Sequence, residues 1–182
     1  MNRFRISTVA VFVFVMLAAC ATTASRGLPD FYLNPPVADD AIYGVGSSSL
    51  SNQDNARRRA IASAREDIAF QMSAVIQAAM INYYQEAGVD GGSQVIEFSE
   101  DVSRQVTDTV LEGTRVEEVA MNEDGTIYAL VSYPLRGFTD AAAQAFARNE
   151  DAAFAEFKAA QALDYLDRML AEDPPQSGQG SR

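Results

Sequence analysis

Cys20 is the only thiol and Lys158 the only side-chain amine among 182 residues, and there is no histidine and no tryptophan. Histidine is the usual general base and the commonest metal ligand. Its absence, with a single cysteine, excludes Ser-His-Asp and Cys-His nucleophilic catalysis and the ordinary zinc sites. Glu100-Asp101 and Glu117-Glu118 are adjacent carboxylates. Neighbours on a strand point to opposite faces, so Glu117 and Glu118 are not expected to form an acid–base dyad. Both pairs read as solvated charge. Gly44-Val-Gly46 invites a phosphate-loop reading, but Ser49 stands where a dinucleotide fingerprint needs its third glycine, and no Gly-Lys-Ser/Thr follows. Glycines that let a strand end pass close to a helix explain the pattern better. Arg57-Arg58-Arg59 reads as the solvated face of a helix start, with lipid headgroups or an acidic partner as the alternative use. No residue is assigned a catalytic, cofactor-binding or metal-binding role.

Cys20 sits where its thiol has a specific use. Arg3 and Arg5 make a short positive start, and Ile6 to Leu17 is an apolar run. That run has the size of a secretory signal core and is too short to span a bilayer. Leu17-Ala18-Ala19-Cys20 then resembles the bacterial lipobox, in which the cysteine thiol takes a diacylglycerol and the chain is cut before it. Residues 1–19 are therefore expected to be a signal peptide, with cleavage between Ala19 and Cys20 and lipidation at Cys20. The acyl chains make membrane lipid the first partner, because each buried methylene contributes about 0.8 kcal/mol.

Loss of Arg3 and Arg5 with the signal moves the formal charge from −11 to −13. Such a chain repels phosphate backbones, so nucleic acid is not an expected partner.

Behind the cysteine the chain divides into a tether (20–40), one domain (41–172) and a disordered tail (173–182). Pro29, Pro35 and Pro36 keep the tether extended, but Phe31-Tyr32-Leu33 is out of place in solvent. Phe31 and Tyr32 are expected to pack on the domain and clip the tether to it. Ile42, Tyr43 and Val45 mark a strand over 41–46. A long helix over about 52–86 follows, with Ile61, Ala64, Ile68, Met72, Val75, Ile76, Ala79 and Tyr83 on one face. After a flexible break at Asp90-Gly-Gly-Ser93, a second helix over 94–111 carries Val95, Phe98, Val102, Val106 and Val110 in one stripe. Strands over 114–121 and 127–133 flank Asp124-Gly125, a strong hairpin signal. A helix over about 140–171, capped by Thr139, closes the domain.

The expected fold is α+β: a small three-stranded antiparallel sheet in strand-helix-helix-strand-strand-helix order, with the helices on one face. The first helix is too long for its sheet. About 35 residues at 1.5 Å each outrun a six-residue strand of about 20 Å. Phe70, Ile81 and Tyr84 lie opposite its main stripe. In the last helix Phe146, Ala153, Phe157 and Ala160 lie nearly opposite Leu163, Leu166 and Leu170. Either these helices cover one another, or the spare faces serve self-association or docking to an envelope protein.

Pro29-Asp-Phe31 with Pro35-Pro36, Tyr43-Gly-Val-Gly46, the alanine-spaced helix (Ala56, Ala60, Ala64, Arg65, Ile68, Ala69, Gln71), Gly113-Thr-Arg-Val116 and Asp124-Gly-Thr-Ile-Tyr128-Ala-Leu-Val131 recur together elsewhere. In this order after a lipobox they resemble the small outer-membrane lipoproteins typified by the Helicobacter surface antigen lipoprotein 20, to which the flagellar basal-disk lipoprotein FlgP is related. The similarity runs from Pro29 to Pro134. Phe31 departs from it, since tryptophan is commoner there. The resemblance implies a strand-helix-strand-strand core, residence in the outer membrane and no known enzymatic activity; a periplasmic domain without a cofactor is expected, with a surface-exposed orientation left open. Its implied function is a non-catalytic structural, scaffold or assembly component of the envelope, with flagellar association as one form. A periplasmic ligand- or glycan-binding module is the alternative, and a large concave apolar pocket would favour it.

Overall fold

The computed structural model describes residues 27–87, 92–150 and 157–176. The signal segment, Ala19, Cys20 and the end of the tail lie outside the described residues, as does most of the break at 90–93. The elements run α1 (Asp30–Leu33), β1 (Ala41–Ser48), α2 (Gln53–Ala87), α3 (Gly92–Gly113), β2 (Arg115–Met121), β3 (Ile127–Pro134), α4 (Leu135–Asn149) and α5 (Ala159–Glu172). The fold is α+β. Its three strands form one antiparallel sheet in the order β1-β3-β2.

The β2–β3 hairpin forms where Asp124-Gly125 places it. Gly125 takes φ +84°, the Asp124 carboxylate accepts the Thr126 N–H at 2.9 Å, and the Asn122 N–H donates to the Thr126 carbonyl at 2.9 Å. β3 is the central strand and is buried along nearly its whole length. Ile127, Ala129, Val131 and Tyr133 face the helices, and Tyr128 and Leu130 face the other side.

α2 is seated on the helix-side face at close range. It starts from an Asn52 cap, whose side-chain oxygen accepts the Asn55 N–H at 2.9 Å. Gly44 and Gly46 of β1 lie under it: a Cβ at Gly44 would strike the Ala64 carbonyl and approach Ile68 Cγ1 to 2.7 Å, and one at Gly46 would strike Ala60 and Ala64 backbone. The close-approach reading of these glycines therefore holds. Ala56, Ala60, Ala64, Ile68 and Met72 are fully buried along this seam.

The half of α2 that overruns the sheet is covered by α3 and α5, so apolar residues line more than one of its sides. Met80, Tyr83 and Tyr84 are buried there together with Val95, Val102 and Val106. An aromatic cluster closes this region, with Phe157 against Phe98 at 4.7 Å between ring centroids and against Tyr83 at 5.9 Å.

Three expectations change. The helix expected over 140–171 is two helices, α4 and α5. Lys158 is extended (φ −132°, ψ 114°), and its N–H donates to the Tyr83 hydroxyl at 3.1 Å instead of to a helical carbonyl. α4 starts at Leu135 behind Pro134, not at Thr139, whose hydroxyl only donates back to the Arg136 carbonyl. The Leu135 N–H is taken up by the Asp40 carbonyl at 2.9 Å. Finally, the second face of the sheet also carries a helical turn: α1 places Phe31 against Tyr128 and Leu130.

Candidate functional site

The tether clip forms as its aromatic residues suggest. Phe31 is buried on the sheet, the Tyr32 ring meets Tyr128 edge-on at 4.8 Å, and the Tyr32 hydroxyl lies 3.4 Å from Ser47 Oγ. Pro29 starts the turn, its carbonyl accepting the N–H groups of Tyr32 and Leu33.

The carboxylate pairs make no acid–base site. Glu100 and Asp101 lie exposed on α3, and Asp101 pairs with Arg104 at 3.3 Å. Glu117 and Glu118 are also exposed, but the reason expected for their separation does not hold. A register shift between Val116 and Glu118 puts an extra residue into β2. Glu118 pairs opposite Leu130, on the face where Glu117 accepts a hydrogen bond from the Ser132 hydroxyl. The two carboxylates thus share a face, with one engaged by serine and no buried base between them. Among the described residues no group of three acidic, cysteine or histidine side chains could hold a metal.

The arginine run lies exposed on the first turns of α2. Arg58 donates to the Asn55 side-chain oxygen at 2.7 Å, and Arg59 pairs with Glu66 at 3.0 Å.

A polar pair that composition did not single out secures the sheet edge. The Asp67 carboxylate accepts the Val45 N–H at 3.0 Å, and the Gln71 amide donates to the Tyr43 carbonyl at 2.9 Å and to Asp67 at 3.3 Å. Burial pushes the Asp67 carboxyl up from its ordinary value, against the opposing pull of the Val45 and Gln71 hydrogen bonds. Gln71 Oε1 is buried with no hydrogen-bond partner. The signal for this pair was present: polar residues four apart, flanking Ile68 and Met72, on a face that should be apolar.

Beside this pair a groove of about 370 Å³ runs between α2 and the end of α5, walled by Phe70, Ala74, Val75, Met169 and Pro174. Of the three residues expected opposite the main α2 stripe, Phe70 and Ile81 are exposed and Tyr84 is buried. In the C-terminal part Phe146 and Phe157 are buried, and so are Leu166 and Leu170. Splitting the expected helix buries Phe146 and Phe157 of one set and Leu166 and Leu170 of the other, while Ala160 is exposed, Leu163 is half-buried and Ala153 lies outside the described residues, so Leu166 and Leu170 offer no docking face.

A model of the LPP20 lipoprotein family matches residues 29–133. The chain belongs to the LPP20 lipoprotein family. The match starts at the clip and ends with β3, so the clip, the Gly44/Gly46 seam and the hairpin fall within it, while α4 and α5 lie beyond it. None of the curated proteins matches the chain. LPP20 is a lipoprotein family and not a known enzyme family. No helix among the described residues is long and apolar enough to cross a membrane.

Proposed function

We propose that the mature chain begins at Cys20, is acylated there, and is held in the outer membrane with its domain in the periplasm. There it acts as a non-catalytic structural or assembly component of the envelope, docking a protein partner or further copies of itself. Flagellar association is one form this role could take. The observation that carries the reading is the clip of Phe31 and Tyr32 on the sheet, within a match to a lipoprotein family. A lipid-anchored component must transmit position from membrane to domain, and the clip begins at Pro29, nine positions after Cys20. Support for the non-catalytic role comes from the chemistry: no histidine and one cysteine, and neither Glu100-Asp101 nor Glu117-Glu118 placed for acid–base work. Separation of inner and outer membranes by density tests location. Wild type is expected with outer-membrane markers and Cys20→Ala in the soluble fraction, and crosslinking in whole envelopes then reads the partner.

The groove beside Gln71 supports the second reading, a ligand-binding module, because it joins apolar walls to an unmatched buried acceptor. A small-molecule complex whose affinity falls on Gln71→Leu would favour it over the scaffold.

A further inference from the structure

We propose that the hairpin end of the sheet is a membrane-facing surface that rests on phospholipid headgroups, its exposed apolar side chains at the interface and its arginines on phosphates. This rests on the lipid-anchor reading above. The strand register brings Ser48, Ile127 and Met121 together at one end of the sheet. Two large apolar side chains project around that end: Leu50 is 52% exposed and Met121 57%. Tyr32 of the clip packs on Tyr128 and reaches Ser47 beside this end. Met121 is held against the start of α2, its Sδ 3.7 Å from Gln53 Nε2. The next turns of the same helix carry Arg57, Arg58 and Arg59.

Charge and reach point the same way. Arg57, Arg58 and Arg59 stand among Asp54, Glu123, Asp124 and Glu66, the last paired with Arg59, so three arginines against four carboxylates leave this end far less acidic than a chain of net charge −11. Guanidinium groups bind phosphate oxygens bidentately, and isolated apolar side chains enter the headgroup boundary readily. Leu28 lies eight residues after Cys20, a reach of about 28 Å at full extension. α2 has 35 residues and is about 52 Å long. The tether therefore holds its own side of the domain near the bilayer, and it joins the fold at the clip, beside the hairpin end. The far end of α2, with Ile81 exposed, then points away from the membrane.

The chain contains no tryptophan, so one introduced indole reports its own surroundings. The full-length protein, processed in a bacterial host and reconstituted into phosphatidylethanolamine–phosphatidylglycerol vesicles, would carry Leu50→Trp or Ile81→Trp. Spin-labelled lipid is expected to quench Leu50→Trp at least about twofold more than Ile81→Trp, with a blue shift at Leu50→Trp alone. Adding Arg57→Gln and Arg58→Gln is expected to remove most of the Leu50→Trp quenching while leaving thermal unfolding unchanged. Equal quenching at the two positions, or quenching that survives loss of both arginines, would overturn the proposal. Vesicle flotation of the same samples reports the anchor separately: protein that floats without Leu50→Trp quenching retains the anchor and lacks this surface, whereas failure to float refutes lipidation itself.

Discussion

The Val45 N–H and the Asp67 carboxylate meet at 3.0 Å, joining the outer edge of β1 to α2. β1 is an edge strand, paired only with β3, and an edge with free backbone groups is a template for unwanted pairing. Asp67 and Gln71 occupy two of those groups from the side. Asp67→Ala would leave the Val45 N–H without its partner, at an expected cost of about 1–3 kcal/mol, read as a lower urea midpoint.

The same carboxylate gives the domain a pH signature. Burial raises the Asp67 pKa above 3.8, so between that value and the raised one the folded state holds more protons than the unfolded state. Stability from this group is then fully present below 3.8 and is lost as pH rises through the folded pKa. Asp67→Asn cannot titrate. The stability of wild type relative to Asp67→Asn is therefore expected to rise as pH falls through this window, measured by urea unfolding at a series of pH values. A difference that stays constant would contradict the assignment.

At Gly46 a Cβ meets Ala60 and Ala64 backbone, and no flexible side chain can yield. Gly46→Ala is expected to cost about 3 kcal/mol or more, at or above the upper end for overpacking. Gly125→Ala tests a different property, because Gly125 has open space around its Cβ position but φ +84°. Its cost is expected to be about 1–2 kcal/mol from backbone strain alone. Thermal unfolding of the two variants separates a steric glycine from a conformational one.

Leu166 is fully buried, and Leu166→Ala is expected to cost about 2–5 kcal/mol. Ile81 is exposed, and Ile81→Ser is expected to change stability by no more than about 0.5 kcal/mol. If the protein self-associates, sedimentation should respond to Phe70→Ser or Ile81→Ser with the fold intact.

Much of the sheet and its helix contact was legible because the responsible residues act locally. Asp124-Gly125 specifies the hairpin through positive φ, and Gly44 and Gly46 announce a close helix. The C-terminal break was not legible. No glycine or proline lies between Asp140 and Ala171, and the extended conformation at Lys158 is accompanied by long-range contacts, Phe157 with Phe98 and Tyr83 and the Lys158 N–H with the Tyr83 hydroxyl. The shared face of Glu117 and Glu118 was hidden for a related reason, since no glycine marks the bulge. The edge-securing role of Asp67 required knowing which strand lay at the edge.

The proposed function rests on lipidation of Cys20. Its most direct test is the intact mass of the protein extracted with detergent from the membranes of a bacterium that carries lipoprotein-processing enzymes. The expected mass corresponds to a chain beginning at Cys20 with a diacylglycerol on its thiol, and Cys20→Ala should lack the lipid. A wild-type protein recovered with residues 1–19 still attached and no acyl group, or cleaved elsewhere and released to the soluble fraction, would contradict it.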